Sequence, residues 1–273
     1  VDGSSGIAFG ESTVGAAVTA SNSLVGSTQF DEVGRGGITE LSNGNYVVNS
    51  PFWNNGATLS VGAVTWAKND GSTVGAVSIG NSLYGGNAND EVGSDGITAL
   101  TGNGNYVVDS SGWNNGTGAV TWGDGTNGTT GAVSTGNSLV GSVSGASDDN
   151  VGSGGITALS NGNYVVDSLE WNNGAETQAG AVTWGNGSGG TVGAVSALNS
   201  LVGSTAGDSV GGGPGDGSPI GDVEALTNGN YVVNSTFWNN GAVVDAGAVT
   251  WGNGSTAGPR LVGAVSSSDS LVG

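Results

Sequence analysis

The string Asn-Gly-Asn-Tyr-Val-Val occurs four times, at residues 43–48, 103–108, 161–166 and 228–233, and no other feature restricts the fold as tightly. Each of its tyrosines is followed seven residues on by a tryptophan: Tyr46 by Trp53, Tyr106 by Trp113, Tyr164 by Trp171, Tyr231 by Trp238. A second tryptophan closes a Gly-Ala-Val-Thr-Trp string, at Trp66, Trp122, Trp184 and Trp251. The tyrosines are spaced by 60 (106 − 46), 58 (164 − 106) and 67 (231 − 164) residues. A period of this length marks one supersecondary unit copied in tandem, so the question becomes how one unit is built and how copies stack. Residues 5–26 align with the second half of a unit (180–203), Phe9 standing where that unit has Trp184. The chain is therefore one repeat array: a half repeat (5–26) and four whole repeats, 33–86, 92–141, 151–203 and 210–273. An insertion over 212–222 accounts for the longest spacing.

Each whole repeat carries four short apolar stretches rich in Val, Ile, Thr and aromatics, in the first repeat 38–41, 46–50, 62–66 and 74–78 running on to 82–84. They are too short for helices and lack the 3.6-residue period, so the fold class is all-β. Within 46–50, Tyr46 and Val48 share one face and Val47 and Asn49 the other, as in strands covered on both sides. Asn-Gly between the first and second stretches (43–44, 103–104, 161–162, 228–229) predicts a tight type I′ hairpin. Tandem four-stranded antiparallel repeats of this length predict propeller blades; a β-solenoid or stacked-sheet array is the alternative. The 57 glycines fall at fixed places in the repeat, which makes them turn residues rather than a sign of low complexity.

The formal charge is −19, with Arg35, Lys68 and Arg260 the only basic side chains. No basic patch is present to neutralise phosphates, which argues against nucleic acid and anionic membranes as partners. No 18-residue apolar run is present, so no inserted membrane helix is expected. With no Cys, His or Met, thiol and imidazole chemistry are excluded. Only carboxylate pairs remain for catalysis, and these recur with the repeat without a unique pair, so no enzyme is expected. A surface of Ser, Thr, Asn and Gly suits an extracellular or cell-surface protein, of which the sequence reads as a fragment.

In an antiparallel meander the loop entering a repeat and the loop joining its second and third strands lie at the same sheet edge. That gathers Asp31, Glu32, Asp90, Glu91, Asp148, Asp149 and Asp208 near Trp53, Asn54, Trp113, Asn114, Trp171, Asn172, Trp238 and Asn239. Two chemistries fit. The aromatic and amide groups suit a glycan or protein ligand, the ring supplying area and the amide orientation. The carboxylates suit calcium, a hard cation taking oxygen ligands, and no other cofactor is expected. Against both stands a purely structural role, which exact repetition favours: tryptophans packed between neighbours and acids bonding local amides. Trp66, Trp122, Trp184 and Trp251 close apolar strands and are expected in the core.

The repeat resembles the FG-GAP repeat of integrin alpha chains and related bacterial surface proteins. The likeness rests on residues 24–26 (Leu-Val-Gly), the acidic turn 31–34, the strand 46–51 and the glycine-led strand 62–66, with similar matches in later repeats. It implies a propeller of ~60-residue blades, usually seven, used in extracellular adhesion. Where that family carries an Asp-rich calcium loop between strands one and two, residues 42–45 here read Ser-Asn-Gly-Asn. The expected function is a non-enzymatic structural or adhesive surface module that self-associates into fibres or binds other surface proteins. A lectin-like binding domain is the alternative.

Overall fold

A computed structural model describes residues 17–143, 148–212, 222–255 and 261–273. Phe9 and most of the half repeat, most of the 212–222 insertion and Arg260 lie outside the described residues. No described helix is long and apolar enough to cross a membrane.

The array is all-β, and one repeat explains the rest. In the first, strands Gly37–Glu40, Tyr46–Ser50 and Ala63–Ala67 run antiparallel in sequence order, and Leu83–Tyr84 completes the meander against the third strand. The register places Val47 opposite Trp66 and Val48 opposite Thr65, so Tyr46, Val48 and Ser50 face the preceding repeat and Val47 the following one. We call these the back and front faces.

The expected fourth strand is in fact two, and they belong to different sheets. Gly75–Ala76 leaves its own repeat and adds in parallel to Leu24–Val25 of the half repeat. The same linking strand recurs at Gly131–Ala132, Gly193–Ala194 and Gly263–Ala264, each added to the fourth strand of the repeat before it. An asparagine bends the chain between the two pieces: Asn81 Oδ1 accepts from Ser78 N (2.8 Å) while its Nδ2 donates to the Ala76 carbonyl (2.9 Å). Short side chain-to-backbone bonds of this kind compete with strand continuation. The sheets of the first three repeats thus have five strands, one of them borrowed; the fourth has four.

The hairpin between the first two strands also differs from expectation. The second repeat has a loop one residue longer, with both Gly102 (+75°) and Gly104 (+74°) at positive φ; in the other three only the glycine has positive φ (Gly44 +84°, Gly162 +85°, Gly229 +84°), and Leu41 and Asn45 pair through Leu41 N to Asn45 O, 2.8 Å. This is a three-residue loop with a left-handed glycine, not a two-residue type I′ turn.

No repeat owns its core. The apolar clusters lie between repeats: Leu41, Val47, Val64 and Leu83 on the front of the first pack against Tyr106, Val108, Trp113 and Ala119 on the back of the second. The same set recurs at the next two junctions, and Trp53, Ala63 and Val77 meet Leu24 of the half repeat. Such a unit cannot bury its faces alone and is stable only in an array. Among the described residues no strand pairing or apolar cluster joins the fourth repeat back to the first, so the sheets form an open stack and no propeller ring is closed.

Candidate functional site

Both edges of the stack carry recurring polar chemistry. At one edge the loop entering each repeat meets the loop between its second and third strands, as the sequence predicts. There Asp31 Oδ1 accepts from Asn54 N (3.1 Å) and Asn54 Nδ2 (3.0 Å), while Oδ2 accepts from Ser27 N (2.7 Å) and Thr28 N (2.8 Å). Asp149 accepts from Asn172 N (3.1 Å) and Nδ2 (2.9 Å), and Asp208 from Asn239 N (3.1 Å) and Nδ2 (2.8 Å). Asp90 receives Asn114 N at 3.0 Å, the Asn114 side chain turning instead to Thr117 Oγ1 in this shorter loop. The residues after Asp90, Asp149 and Asp208 bond backward, Glu91 N to Ser60 O at 3.0 Å, Asn150 N to Gly116 O at 2.8 Å and Ser209 N to Gln178 O at 3.0 Å, so these clasps tie two repeats together.

These four aspartates are buried, and their oxygens are filled by amide donors. Burial works against the charge on Asp31, but hydrogen bonds from Thr28, Ser27 and Asn54 hold its carboxyl below the usual range. Of the remaining acids of the set, Glu32 pairs with Arg35 (2.9 Å), Glu91 flanks its turn, and Asp148 joins the clasp through its backbone carbonyl, which accepts from Asn172 Nδ2 at 3.2 Å. Among the described residues no three acidic side chains gather around one point. Trp53, Trp113, Trp171 and Trp238 are buried on the back faces, their Nε1 atoms without an acceptor among the described residues. The edge therefore brings the expected residues together, with the rings turned into the stack.

At the opposite edge the sequence reading missed a second tie. The Gly125 carbonyl of the second repeat accepts three donors from the first: Asn43 Nδ2 (2.7 Å), Asn45 Nδ2 (2.9 Å) and Trp66 Nε1 (2.9 Å). Gly187 O takes the same three from Asn103, Asn105 and Trp122 (3.0, 2.9 and 2.9 Å), and Gly254 O from Asn161, Asn163 and Trp184 (2.9, 2.9 and 3.0 Å). The glycine is there for close approach: a Cβ on Gly125 would fall 1.5 Å from the Gly104 carbonyl oxygen. The core assignment of the second tryptophans needs correction accordingly. Trp184 is buried and Trp66 and Trp122 are half-buried, each covered by the following repeat, while Trp251, against which no described repeat packs, is exposed.

A third feature, also missed, lies inside the stack. Asp109 and Asp167 end the Tyr-Val-Val-Asp strands and are buried, and desolvation pushes both carboxyls well above the usual range. The nearby charges of Asp95 and Asp222 act in the same direction. The first and fourth repeats have Asn49 and Asn234 in this place, and Asn49 Nδ2 donates to the Gly93 carbonyl at 2.7 Å. A neutral carboxylic acid is the nearest substitute for that amide. The exchange of Asn for Asp between aligned copies was the signal for it.

The sequence profile of a repeat family, DUF5650, described as a repeat of unknown function, matches residues 3–35, 40–94, 100–153, 158–212 and 225–273. That description makes no reference to FG-GAP repeats or adhesins. No curated protein matches the chain.

Proposed function

The chain belongs to that repeat family, and we propose that it is a non-enzymatic structural module, a stack of repeats that spaces and presents other parts of an extracellular surface protein. One observation carries this reading. The side chains that recur in every repeat make their contacts between repeats, as clasp, latch and core, so the repeated chemistry is consumed in holding the stack together. A chain organised this way transmits position and force along its length. Pulling a single molecule from its two termini tests it. The reading expects a series of extension steps, each releasing one repeat at the spacings of 60, 58 or 67 residues. Featureless lengthening at low force would sink it.

A second reading, ligand binding, is favoured by one place where the repeat pattern is broken. Phe30 is 70% exposed and has φ +66°, at a position where other repeats have Asn89 and Gly207. A bulky residue held there carries backbone strain, which tends to mark function. It lines a cleft with Phe52, Leu59, Glu32 and Arg35, whose guanidinium lies 5.1 Å from the Phe52 ring centre. Apolar rings beside one paired charge suit a glycan or a protein loop. Binding seen on a glycan array or to a surface protein should disappear in Phe30→Asn, a change expected to relieve the strain. Binding unaffected by it places the ligand elsewhere.

A further inference from the structure

The dipeptide Asn-Gly occurs eleven times in the chain, and it is a chemically labile pair. Glycine has no Cβ to keep its own amide nitrogen away from the Cγ of the asparagine before it, and its backbone bends freely toward that carbon. Attack needs two freedoms: a glycine N–H that no acceptor holds, and an asparagine side chain that can turn. The stack grants them very unequally.

In the hairpins the N–H is held. Gly44, Gly162 and Gly229 donate to the Leu41, Leu159 and Leu226 carbonyls (2.9, 3.0 and 3.0 Å), and Gly104 donates to Ser42 Oγ (3.0 Å). Asn43, Asn103 and Asn161 are also tied by their side chains to the next repeat. After the third strand, Gly128 N donates to Asp124 O (2.9 Å), Gly187 N to Asn163 Oδ1 (3.1 Å) and Gly254 N to Asn230 Oδ1 (3.2 Å). That leaves the Trp-Asn-Asn-Gly loops. In the second repeat Gly116 N donates to Gly112 O (3.1 Å). In the third and fourth the side chain is tethered instead, Asn173 Nδ2 to Gly203 O (2.8 Å) and Asn240 Nδ2 to Gly273 O (3.3 Å).

Only the first repeat has both freedoms. Among the described residues Gly56 N has no acceptor and the Asn55 side chain has no hydrogen-bond partner. Asn55 is exposed, and a Cβ on Gly56 (φ +61°) would meet no atom within 4 Å. The two residues sit at the tip of a closed turn, Asn55 N donating to Thr58 O (3.0 Å) and Thr58 N to Asn55 O (3.1 Å).

We propose that Asn55 is the site at which the folded chain modifies itself, by ring closure with the Gly56 amide. The Gly56 nitrogen loses its proton to solvent base and bonds to Asn55 Cγ. The Cγ–Nδ2 bond breaks, and Nδ2 takes up a proton and leaves as ammonia. Water then opens the succinimide, at Cγ to give aspartate or at the backbone carbonyl to give isoaspartate. No oxidant or reductant is needed. Both products add a negative charge. Isoaspartate also lengthens the backbone by one atom, in the loop whose Leu59 and Ser60 carbonyls hold Asn89 N (3.1 Å) and Glu91 N (3.0 Å) of the second repeat. The reactive pair therefore lies in a clasp.

Incubating the folded protein at mildly alkaline pH in heavy-oxygen water, followed by chymotryptic peptide mapping with mass spectrometry, tests it. The Asn55 peptide is expected to lose ammonia and gain a heavy oxygen atom first. Its rate should exceed those of the hairpin peptides at least about tenfold, because their ring closure must also break a hydrogen bond. Two products are expected, one eluting with the same peptide from an Asn55→Asp chain and one apart from it. Asn240, on the longest tether, should follow. In urea, where no fold holds any amide, the eleven pairs should react at similar rates. Earlier reaction at a hairpin asparagine, or equal rates there and at Asn55 in the folded chain, overturns the proposal. So does an Asn55 advantage that persists undiminished in urea, since the fold would then not be its cause.

Discussion

The third and fourth repeats have nearly the same sequence on their front faces and opposite surroundings. Leu201 and Trp184 are shut in the stack; Leu271 and Trp251, at the same places in the next copy, face solvent. Burial here is a property of the junction rather than of the repeat. The same residue type is buried where a described repeat stands against it and exposed where none does. This follows from units that are largely apolar on both faces and whose cores lie between them.

The sharpest way to break the comparison is to truncate both members of a pair. Leu201→Ala should cost about 2–5 kcal/mol in urea denaturation, through lost burial and the cavity left behind. Leu271→Ala should stay within about 0.5 kcal/mol, as for other surface changes. Equal losses at both sites would mean that the terminal face is covered in solution. Next in size is the clasp. Asp208→Ala strands the amide donors of Asn239, Ser204 and Thr205 at the last junction and should cost about 3 kcal/mol. Since those oxygens are already occupied by amides, a calcium chelator is expected to leave the wild-type melting temperature unchanged; a drop would give the acidic loops a metal.

A pH series separates the junctions that contain Asp109 and Asp167 from the one built on Asn49. Both carboxyls have native pKa values raised above the unfolded value, so their contribution is complete below the ordinary carboxyl pKa of about 3.9. It is lost as pH rises through the native values. Asp109→Asn and Asp167→Asn should therefore be more stable than wild type at neutral pH and gain nothing in acid. A pH-independent difference would show that the acids are ionised in place. The smallest expected effect distinguishes the two tryptophan sets. Trp122→Phe and Trp171→Phe remove similar bulk, but only Trp122 gives up a hydrogen bond, to Gly187 O. The first should be worse by about 1 kcal/mol in equilibrium unfolding.

Much of this was legible in the chain. The recurrence of Tyr-Val-Val and Gly-Ala-Val-Thr-Trp gave the strands and the number of repeats, because strand pattern is local and each copy confirms the others. The meeting of Asp31 with Asn54 followed from alternating loop directions in a meander. The latch was not legible. Asn43 and Asn45 look like turn residues, and they are, but their side chains reach a carbonyl 82 and 80 residues away. Nor did residues 74–84 reveal that one apolar stretch serves two sheets, since pairing of Gly75 with Leu24 depends on which repeat lies alongside.

What the sequence determined by itself was the unit: its strands, its glycine turns, its alternating faces and the acids at its loops. All of these are set by backbone propensity and by side-chain period within some sixty residues. What only the tertiary structure decided was the relation between units, an open stack in place of a closed ring among the described residues. The physical reason is that every repeat carries the same instructions for its neighbours. Which of those instructions is satisfied depends on what stands next to it.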